Sequence, residues 1–293
     1  MIYQIEKIYL IEISKREMRK LGIFLKSLGF HAPNMRLKPT SCYLIPRKTK
    51  LLILDVGVGV KDKLLNYFIN NKLLPEDIAI VISHNHIDHV AGVIGIGDFM
   101  LEFYPHSKIK LFMSDTSEKY YDWYYNILKK YSSVFDLQVI DENFEFEFAD
   151  FNVKFCKTNH CEDKIKSFAT KISCDYTSFV YTSDIASVDN ELKKFIKNSN
   201  VVMVEAGNPI KRIRTLPGYH GSTKDNVYEI LNSGVNNVYL THLKGCFDES
   251  DYINSLYEDT REYVNVIGTE TSFDIFTGDI LQEYTKKVSA LLA

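Results

Sequence analysis

The 293-residue sequence predicts an α/β fold, on three observations. Apolar runs rich in β-branched residues, such as Ile78 to Ile82 and Val201 to Val204, have the look of buried strands. Between them lie stretches of helical character, such as Lys61 to Asn71. Several of the strand-like runs are followed at once by His, Asp or Glu, which puts polar groups where a sheet opens to solvent.

Composition narrows the class. The chain is 45% hydrophobic and 25% charged, enough for a sizeable core. A net charge of −3 argues against reading the whole chain as a nucleic-acid binder. Cys42, Cys156, Cys161, Cys174 and Cys246 are an odd number without paired spacing, which fits free thiols in a reducing compartment. The N-terminus lacks a basic start and a long apolar core, and no run approaches the roughly 18 apolar residues of a membrane span. The expectation is a soluble, cytoplasmic protein.

In chain order, Ile2 to Ile13 alternates like a strand, and Ser14 could cap a helix through about Leu28, ended by Gly29. This region and the loop to Lys38 carry Lys15, Arg16, Arg19, Lys20, Lys26, Arg36 and Lys38, either a solvated face or a basic rim for a phosphate-bearing substrate. Cys42 to Ile45 and Leu51 to Asp55 form a candidate hairpin. Asp55 could buttress a site from behind or cap a turn. Lys61 to Asn71 is a helix, and another runs to about Phe103 after Gly92. Ile109 to Met113 is a strand. Ser117 to Tyr131 is an unusually aromatic helix, with Tyr120, Tyr121, Trp123, Tyr124, Tyr125 and Tyr131. Those rings fit core packing, a dimer contact, or stacking on a base or sugar.

From Leu137 the pattern turns to β, with strands at Leu137 to Ile140, Phe144 to Phe148, Phe151 to Lys157, Ser167 to Ser173 and Ser178 to Tyr181. Glu191 to Lys197 is a short helix, and Val201 to Val204 is a strand. A loop with Lys211, Arg212 and Arg214 leads to His220-Gly221-Ser222-Thr223, where Ser222 or Thr223 could cap a helix to Leu231. Asn237 to Leu240 is a strand, Tyr252 to Glu262 a helix, Tyr263 to Ile267 and Ser272 to Phe276 strands, and the tail a helix.

The chemistry centres on Ser83 to Val90, S-H-N-H-I-D-H-V. His84, His86, Asp88 and His89 fall within six residues, and the chain has only eight histidines. Imidazole nitrogens with a carboxylate suit borderline divalent cations. His84 and His86 can share one metal, and Asp88 and His89 can turn to a second. Further along, strands end at His160, Asp184, Glu205 and His242. Packing alone does not explain ligand-type residues at the ends of five strands. His31 and His106 are assigned no role.

The order H-x-H-x-D-H, lone His, lone Asp, lone His resembles the two-metal branch of the metallo-β-lactamase superfamily, over about Thr40 to Leu243. The resemblance implies an αββα four-layer sandwich forming a single domain over residues 1–293. In it, residues 1–40 are a variant N-terminal part and residues 244–293 an extension. It implies that His84, His86 and His160 hold one divalent metal, that Asp88, His89 and His242 hold another, and that Asp184 bridges them. Zn²⁺ is the first candidate, with Mn²⁺ or Fe²⁺ as alternatives. A water shared by such a pair becomes hydroxide near neutral pH and serves as the nucleophile. Cys161, beside His160, reads as a bystander.

Glu205-Ala206 follows Asp184 by 21 residues, and His220 precedes His242 by 22. This is similar to ribonuclease Z and related phosphodiesterases. The similarity makes Asp88, His220 and Glu205 the candidate catalytic residues, with His220 as general acid or phosphate contact and Glu205 as its partner. The bland alternative for His220 is a surface loop histidine. The H-G-S-T loop is one residue longer than the usual form, and the family's glycine-rich opening is absent. Only 23 residues separate His160 from Asp184, too few for a long tRNA-gripping arm. The resemblance therefore implies a phosphodiester substrate such as a cyclic nucleotide, a short oligonucleotide or an RNA 3′ end, and a homodimer. A thioesterase or lactonase of the glyoxalase II type would share the metal ligands without needing Glu205 and His220. A non-catalytic sensor would be expected to have lost ligands.

Overall fold

Period-two alternation in fully buried strands decides the layering. In Lys50–Leu54, Leu51 and Ile53 point to one apolar cluster while Leu52 and Leu54 point to another. Ile78–Ile82 does the same, with Ile78, Ile80 and Ile82 on one side and Ala79 and Val81 on the other. A strand apolar on both faces must be covered on both.

The computed structural model describes residues 24–32, 38–114, 122–161, 165–175, 177–209, 219–244, 247–268 and 271–280. Its strands are β1 (Phe24–Gly29), β2 (Cys42–Arg47), β3 (Lys50–Leu54), β4 (Ile78–Ile82), β5 (Ile109–Ser114), β6 (Phe135–Ile140) and β7 (Glu145–Phe148). They continue with β8 (Phe151–Thr158), β9 (Ser167–Cys174), β10 (Thr177–Tyr181), β11 (Val201–Glu205), β12 (Asn237–Thr241), β13 (Val264–Val266) and β14 (Ser272–Asp274). The helices are α1 (Lys61–Asn70), α2 (Ile87–Val90), α3 (Gly92–Phe103), α4 (Asp122–Lys129), α5 (Asn190–Ile196), α6 (Thr223–Leu231) and α7 (Glu249–Ser255).

Two mixed seven-stranded sheets result, ordered β14-β1-β2-β3-β4-β5-β6 and β13-β12-β11-β10-β9-β8-β7. Between them lies a core that includes Tyr43, Val81, Phe112, Phe151, Phe168 and Tyr181. Leu64 and Phe68 of α1, Val93, Ile96 and Met100 of α3 and Leu128 of α4 cover the outer face of the first sheet. Leu192 and Ile196 of α5 and Val227 and Ile230 of α6 pack against the second. The fold is an αββα sandwich. Among the described residues no helix is long and apolar enough to cross a membrane.

Most elements lie where the sequence puts them, including the β2–β3 hairpin, which is antiparallel with Arg47 opposite Lys50. Two do not. The helix expected through Leu28 is instead strand β1 from Phe24 on, because Leu25 and Ser27 are fully buried between two strands, β14 and β2. Pairing on both edges overrides the helical look of the segment. Gly29 ends no helix: it lies where the β1–β2 register shifts, and a Cβ there would sit 1.9 Å from the Thr40 carbonyl oxygen.

The helix expected over Tyr252 to Glu262 starts earlier, at α7, because Asp248 and Asp251 form a reciprocal capping box. It stops at Leu256, whose extended backbone turns its side chain into the core. A separate 3₁₀ turn spans Glu258–Tyr263. The expected N-terminal strand and helix start, the tail helix, residues 115–121 and Lys211, Arg212 and Arg214 lie outside the described residues. So do the side chains of Trp123, Tyr124 and Tyr125.

Candidate metal and catalytic centre

Strands β3, β4, β5 and β6 run parallel, as do β10, β11, β12 and β13, so within each sheet their carboxyl ends share one edge. Open α/β sheets present ligand-binding groups along such an edge. Here β3 delivers Asp55, β4 delivers His84, β10 delivers Asp184, β11 ends in Glu205 and β12 delivers His242. Antiparallel β8 leads to His160. The two edges are laced together: Phe168 N–H donates to the Ser83 carbonyl at 3.0 Å, and Tyr43 OH hydrogen-bonds Thr241 Oγ1.

The chain turns sharply at these exits. Asp55, Cys161, Ser183 and His242 all have left-handed backbones, with φ of 58°, 48°, 57° and 55°. For residues bearing a Cβ, this costs about 1–2 kcal/mol each. All four are buried, so surrounding packing holds them there. The strain lets each strand end abruptly and aim side chains inward.

Three overlapping groups of donor atoms result; two hold the ligand candidates, and the third joins Asp184 and His242 to Glu205 and His220. His84 Nε2 lies 2.9 Å and His160 Nε2 3.1 Å from His86 Nδ1, with Asp184 Oδ2 3.9 Å and 3.8 Å from the first two. In the second group, Asp88 Oδ2 lies 3.0 Å from His242 Nε2 and 3.5 Å from His89 Nε2. Asp184 reaches this group too, with Oδ1 3.5 Å from His89 Nε2 and Oδ2 3.6 Å from His242 Nε2. All seven ligand candidates are thus brought together, and Asp184 belongs to all three groups.

The outer nitrogens decide what the inner ones offer. His89 Nδ1–H donates to Asp55 Oδ2 at 2.8 Å, and His160 Nδ1–H donates to the Tyr219 carbonyl. His84 Nδ1 lies 3.1 Å from Ser83 Oγ and 3.3 Å from Ser183 Oγ. Each bond leaves the Nε2 lone pair facing inward. Lone pairs of neutral imidazoles pointed at one another repel, and a cation between them removes the conflict. His89 Nε2 and Asp184 Oδ1 are buried without a hydrogen-bond partner, as unfilled coordination positions would be. The donor set fits divalent cations.

Charge follows burial. Desolvation, reinforced by neighbouring histidines, holds His84 well below its ordinary value, and desolvation with His160 takes His86 down to about 4. His160 is lowered by burial as well. Burial opposes ionisation of Asp184, but His242 and His89 outweigh it and hold the carboxyl well below the usual range. Neutral His84, His86 and His160 beside an ionised carboxylate are in the protonation states that bind metal. His89 is the exception: burial opposes its charge, but Asp184, Asp88 and Asp55 outweigh burial and hold it well above its ordinary value, so a cation would have to displace that proton.

Asp55 buttresses the site. Its carboxylate accepts from Ser83 N–H at 2.8 Å, Ser83 Oγ at 3.0 Å, His89 Nδ1–H and Tyr181 OH at 2.7 Å. Thr40 braces the loop from outside, its hydroxyl donating to the Asp88 carbonyl at 2.7 Å. Ser83, Ser183, Tyr181 and Thr40 support the ligand candidates through hydrogen bonds that sequence reasoning missed. Ser83 and Ser183 carried a signal, each as a polar residue directly before a ligand candidate.

Glu205 and His220 also meet. His220 Nδ1 lies 2.7 Å from Glu205 Oε2 and 3.9 Å from Asp184 Oδ2. Glu205 Oε1 accepts from Ile185 N–H at 2.8 Å, which anchors the carboxylate. Burial would lower His220, but the Glu205 charge and hydrogen bond outweigh it and raise the group to about 9. The His220 side chain is 19% exposed and, with half-buried His86, stands at the mouth above six buried ligand candidates. The extra residue of the H-G-S-T loop has a use: a Cβ on Gly221 would sit 2.1 Å from the Ala186 carbonyl oxygen. Ser222 then turns away to cap α6, accepting from Asp225 N–H at 3.3 Å. Cys161 Sγ lies 3.6 Å from His160 Nε2 but is not among the converging donors. His31 packs against Phe30 with tilted rings, centroids 4.1 Å apart.

The family model described as "Anti-Pycsar protein Apyc1" matches residues 31–207, a span that holds every ligand candidate but His242. No curated protein matches the sequence. Among solved structures, the chain is similar to the metallo-β-lactamase fold protein YhfI from Bacillus subtilis, at TM-score 0.71 and 18% identity over 86% of this chain and 99% of that one. A diphosphatase of the PhnP family aligns at TM-score 0.65 and 13% identity over 87% and 99%. The short form of human tRNase Z aligns at 0.62 and 15% over 86% and 99%. These likenesses establish the metallo-β-lactamase fold.

Proposed function

The chain belongs to the Anti-Pycsar protein Apyc1 family, and we propose that it is a metal-dependent phosphodiesterase acting on a small nucleotide, a cyclic nucleotide first among candidates. The observation that carries this reading is the His220–Glu205 pair, 2.7 Å apart at the rim of the Asp184 cluster. A two-metal thioesterase has no use for a carboxylate-held imidazolium there, whereas an alkoxide leaving phosphorus needs a proton.

His84, His86 and His160 would hold one divalent cation, Asp88, His89 and His242 a second, with Asp184 shared. Bound there, such cations supply positive charge for the phosphate's non-bridging oxygens and acidify an attacking water. The chain's own residues do the rest. Asp88 would hold the second cation and orient an attacking water. Glu205, fixed by Ile185 N–H, keeps the proton on His220 Nδ1, which leaves Nε2–H as the group that would protonate the leaving oxygen. Asp55, Ser83 and Tyr181 hold the ligand rings still. The β9–β10 pair occupies most of the segment between His160 and Asp184, which favours a small phosphodiester over folded RNA.

The test is hydrolysis of bis(p-nitrophenyl) phosphate by Zn²⁺- or Mn²⁺-loaded protein beside His220→Ala and a thioester substrate. Diester turnover that falls in the variant supports the reading. Thioester cleavage without diester turnover under either metal would overturn it.

A further inference from the structure

The turn after Asp184 seats the acid pair, and side chains hold it. Four successive N–H groups are donated to them: Ile185 to Glu205 Oε1 at 2.8 Å, Ala186 and Ser187 to Asn159 Oδ1 at 2.9 and 3.1 Å, and Val188 to Asn226 Oδ1 at 3.2 Å. Glu205 pairs with His220, and Asn226 lies on α6, which starts three residues beyond His220. Asn159 comes from elsewhere. It follows β8 and immediately precedes His160.

Asn159 uses its whole carboxamide on this turn. Oδ1 accepts the two neighbouring amides, while Nδ2 donates to Ser187 Oγ at 2.8 Å and to the Ser187 carbonyl at 3.1 Å. Nδ2 also lies 3.4 Å from Asp189 Oδ2. One planar group that both accepts from and donates to the same residue fixes the course of the chain there. Thr158, one position earlier, donates its hydroxyl to the Asp184 carbonyl at 3.2 Å. The exit of β8 therefore clasps the exit of β10.

The turn passes this constraint to the acid. The Ile185 carbonyl accepts Gly221 N–H at 3.0 Å, and the Ala186 carbonyl oxygen lies against Gly221. Gly221 directly follows His220. The Ile185 N–H, in turn, anchors Glu205. Both members of the acid pair are thus seated on Ile185 and Ala186, and Asn159 holds the Ala186 and Ser187 amides that set where those two residues lie.

We propose that Asn159 is a positioning residue for the general acid: by holding the Ala186 and Ser187 amides it sets the turn on which Glu205 and His220 are seated. The proposal rests on the phosphodiesterase reading and deepens it. An alkoxide needs the His220 proton as its bond to phosphorus breaks, so turnover of such a substrate depends on Asn159. A leaving group that departs readily as an anion depends on it far less.

The experiment compares Zn²⁺-loaded wild type, Asn159→Ala and Asn159→Asp. Each is assayed with a 3′,5′-cyclic mononucleotide, whose leaving group is an alkoxide, and with bis(p-nitrophenyl) phosphate, whose leaving group needs little protonation. In Asn159→Ala the ratio of kcat for the nucleotide to kcat for the aryl diester is expected to fall about tenfold or more, with Zn²⁺ affinity retained. Asn159→Asp keeps the oxygen acceptor and is expected to recover most of that ratio. An unchanged ratio, an equal loss on both substrates, or an aspartate variant as poor as the alanine one overturns the assignment.

Amide hydrogen exchange of the same loaded proteins is a second readout that needs no turnover. Gly221 N–H, bound to the Ile185 carbonyl, is expected to lose about tenfold in protection in Asn159→Ala. Ala206 N–H, bound to the Thr241 carbonyl at 2.7 Å, is expected to keep its own. If wild type cleaves neither substrate, the phosphodiesterase reading fails by itself. In that case, or if only the aryl diester is cleaved, Gly221 decides: selective loss of its protection supports Asn159 as the residue that seats His220, and unchanged protection overturns it.

Discussion

The Asp55 carboxylate and the His89 imidazole meet at 2.8 Å, although one leaves β3 and the other follows β4. Asp55 Oδ2 also accepts from Ser83 Oγ and Tyr181 OH, so a single oxygen joins both sheets to one ligand ring. A carboxamide in its place cannot satisfy the same donors. Asp55→Asn is expected to weaken Zn²⁺ affinity about 10- to 100-fold. Competition against a chromophoric chelator measures this, and unchanged affinity would show that His89 is oriented by packing alone.

Ser183 has a left-handed backbone, φ 57°, and its hydroxyl donates to Ser83 Oγ at 2.7 Å beside His84 Nδ1. Glycine relieves about 1 kcal/mol of backbone strain and loses a hydrogen bond worth about the same. Ser183→Gly should therefore leave the thermal midpoint of the metal-free protein within a few degrees. Metal affinity should still fall roughly tenfold, because His84 loses part of its support. Equal affinity in the two proteins would remove Ser183 from the site.

The raised His220 sets a pH limb. Held up to about 9 by Glu205, the imidazolium remains an acid through neutral pH, and diester turnover should decline as pH rises through about 9. Glu205→Gln should move that limb down toward the ordinary 6.5. The stability linkage has the matching sign. A raised folded value means the pair's contribution is complete below about 6.5 and is lost as pH climbs toward about 9. A pH–rate profile of the two proteins decides it, and coincident limbs would assign the ionisation elsewhere.

Gly57 permits the close approach of two backbones. A Cβ there would lie 2.1 Å from both the Asp88 carbonyl oxygen and Thr40 Oγ1. Gly57→Ala should destabilise the fold by about 1–3 kcal/mol and displace the segment bearing Asp88 and His89. A denaturant midpoint close to wild type, with metal affinity intact, would contradict the packing described.

The ligand candidates were legible because their signal is local. S-H-N-H-I-D-H-V packs four of them into one turn, and a strand-like run announces each of the others. The pair formed by His220 and Glu205 was legible only through the order of motifs. What the sequence hid is tertiary. Ser83 and Ser183 stand 100 positions apart on different sheets, and their contact exists only once the sheets dock. Phe24 to Gly29 misled for the same reason: its partners, β2 and β14, lie on either side of it in the sheet but far apart in sequence. The start of α7 was missed because Asp248 and Asp251 cap each other through side chains that ordinary helix preferences do not count.

The two donor groups that hold the ligand candidates each draw half their members from either layer. His84 and His86 face His160 and Asp184 in one, and Asp88 and His89 face Asp184 and His242 in the other. An ion seated in either would act as a rivet through the sandwich, joining a loop of one sheet to strand ends of the other. Chelation would then loosen the seam at this edge, and resistance to heat would track the supply of free cation. A cell short of metal would lose the protein to unfolding as well as losing its chemistry.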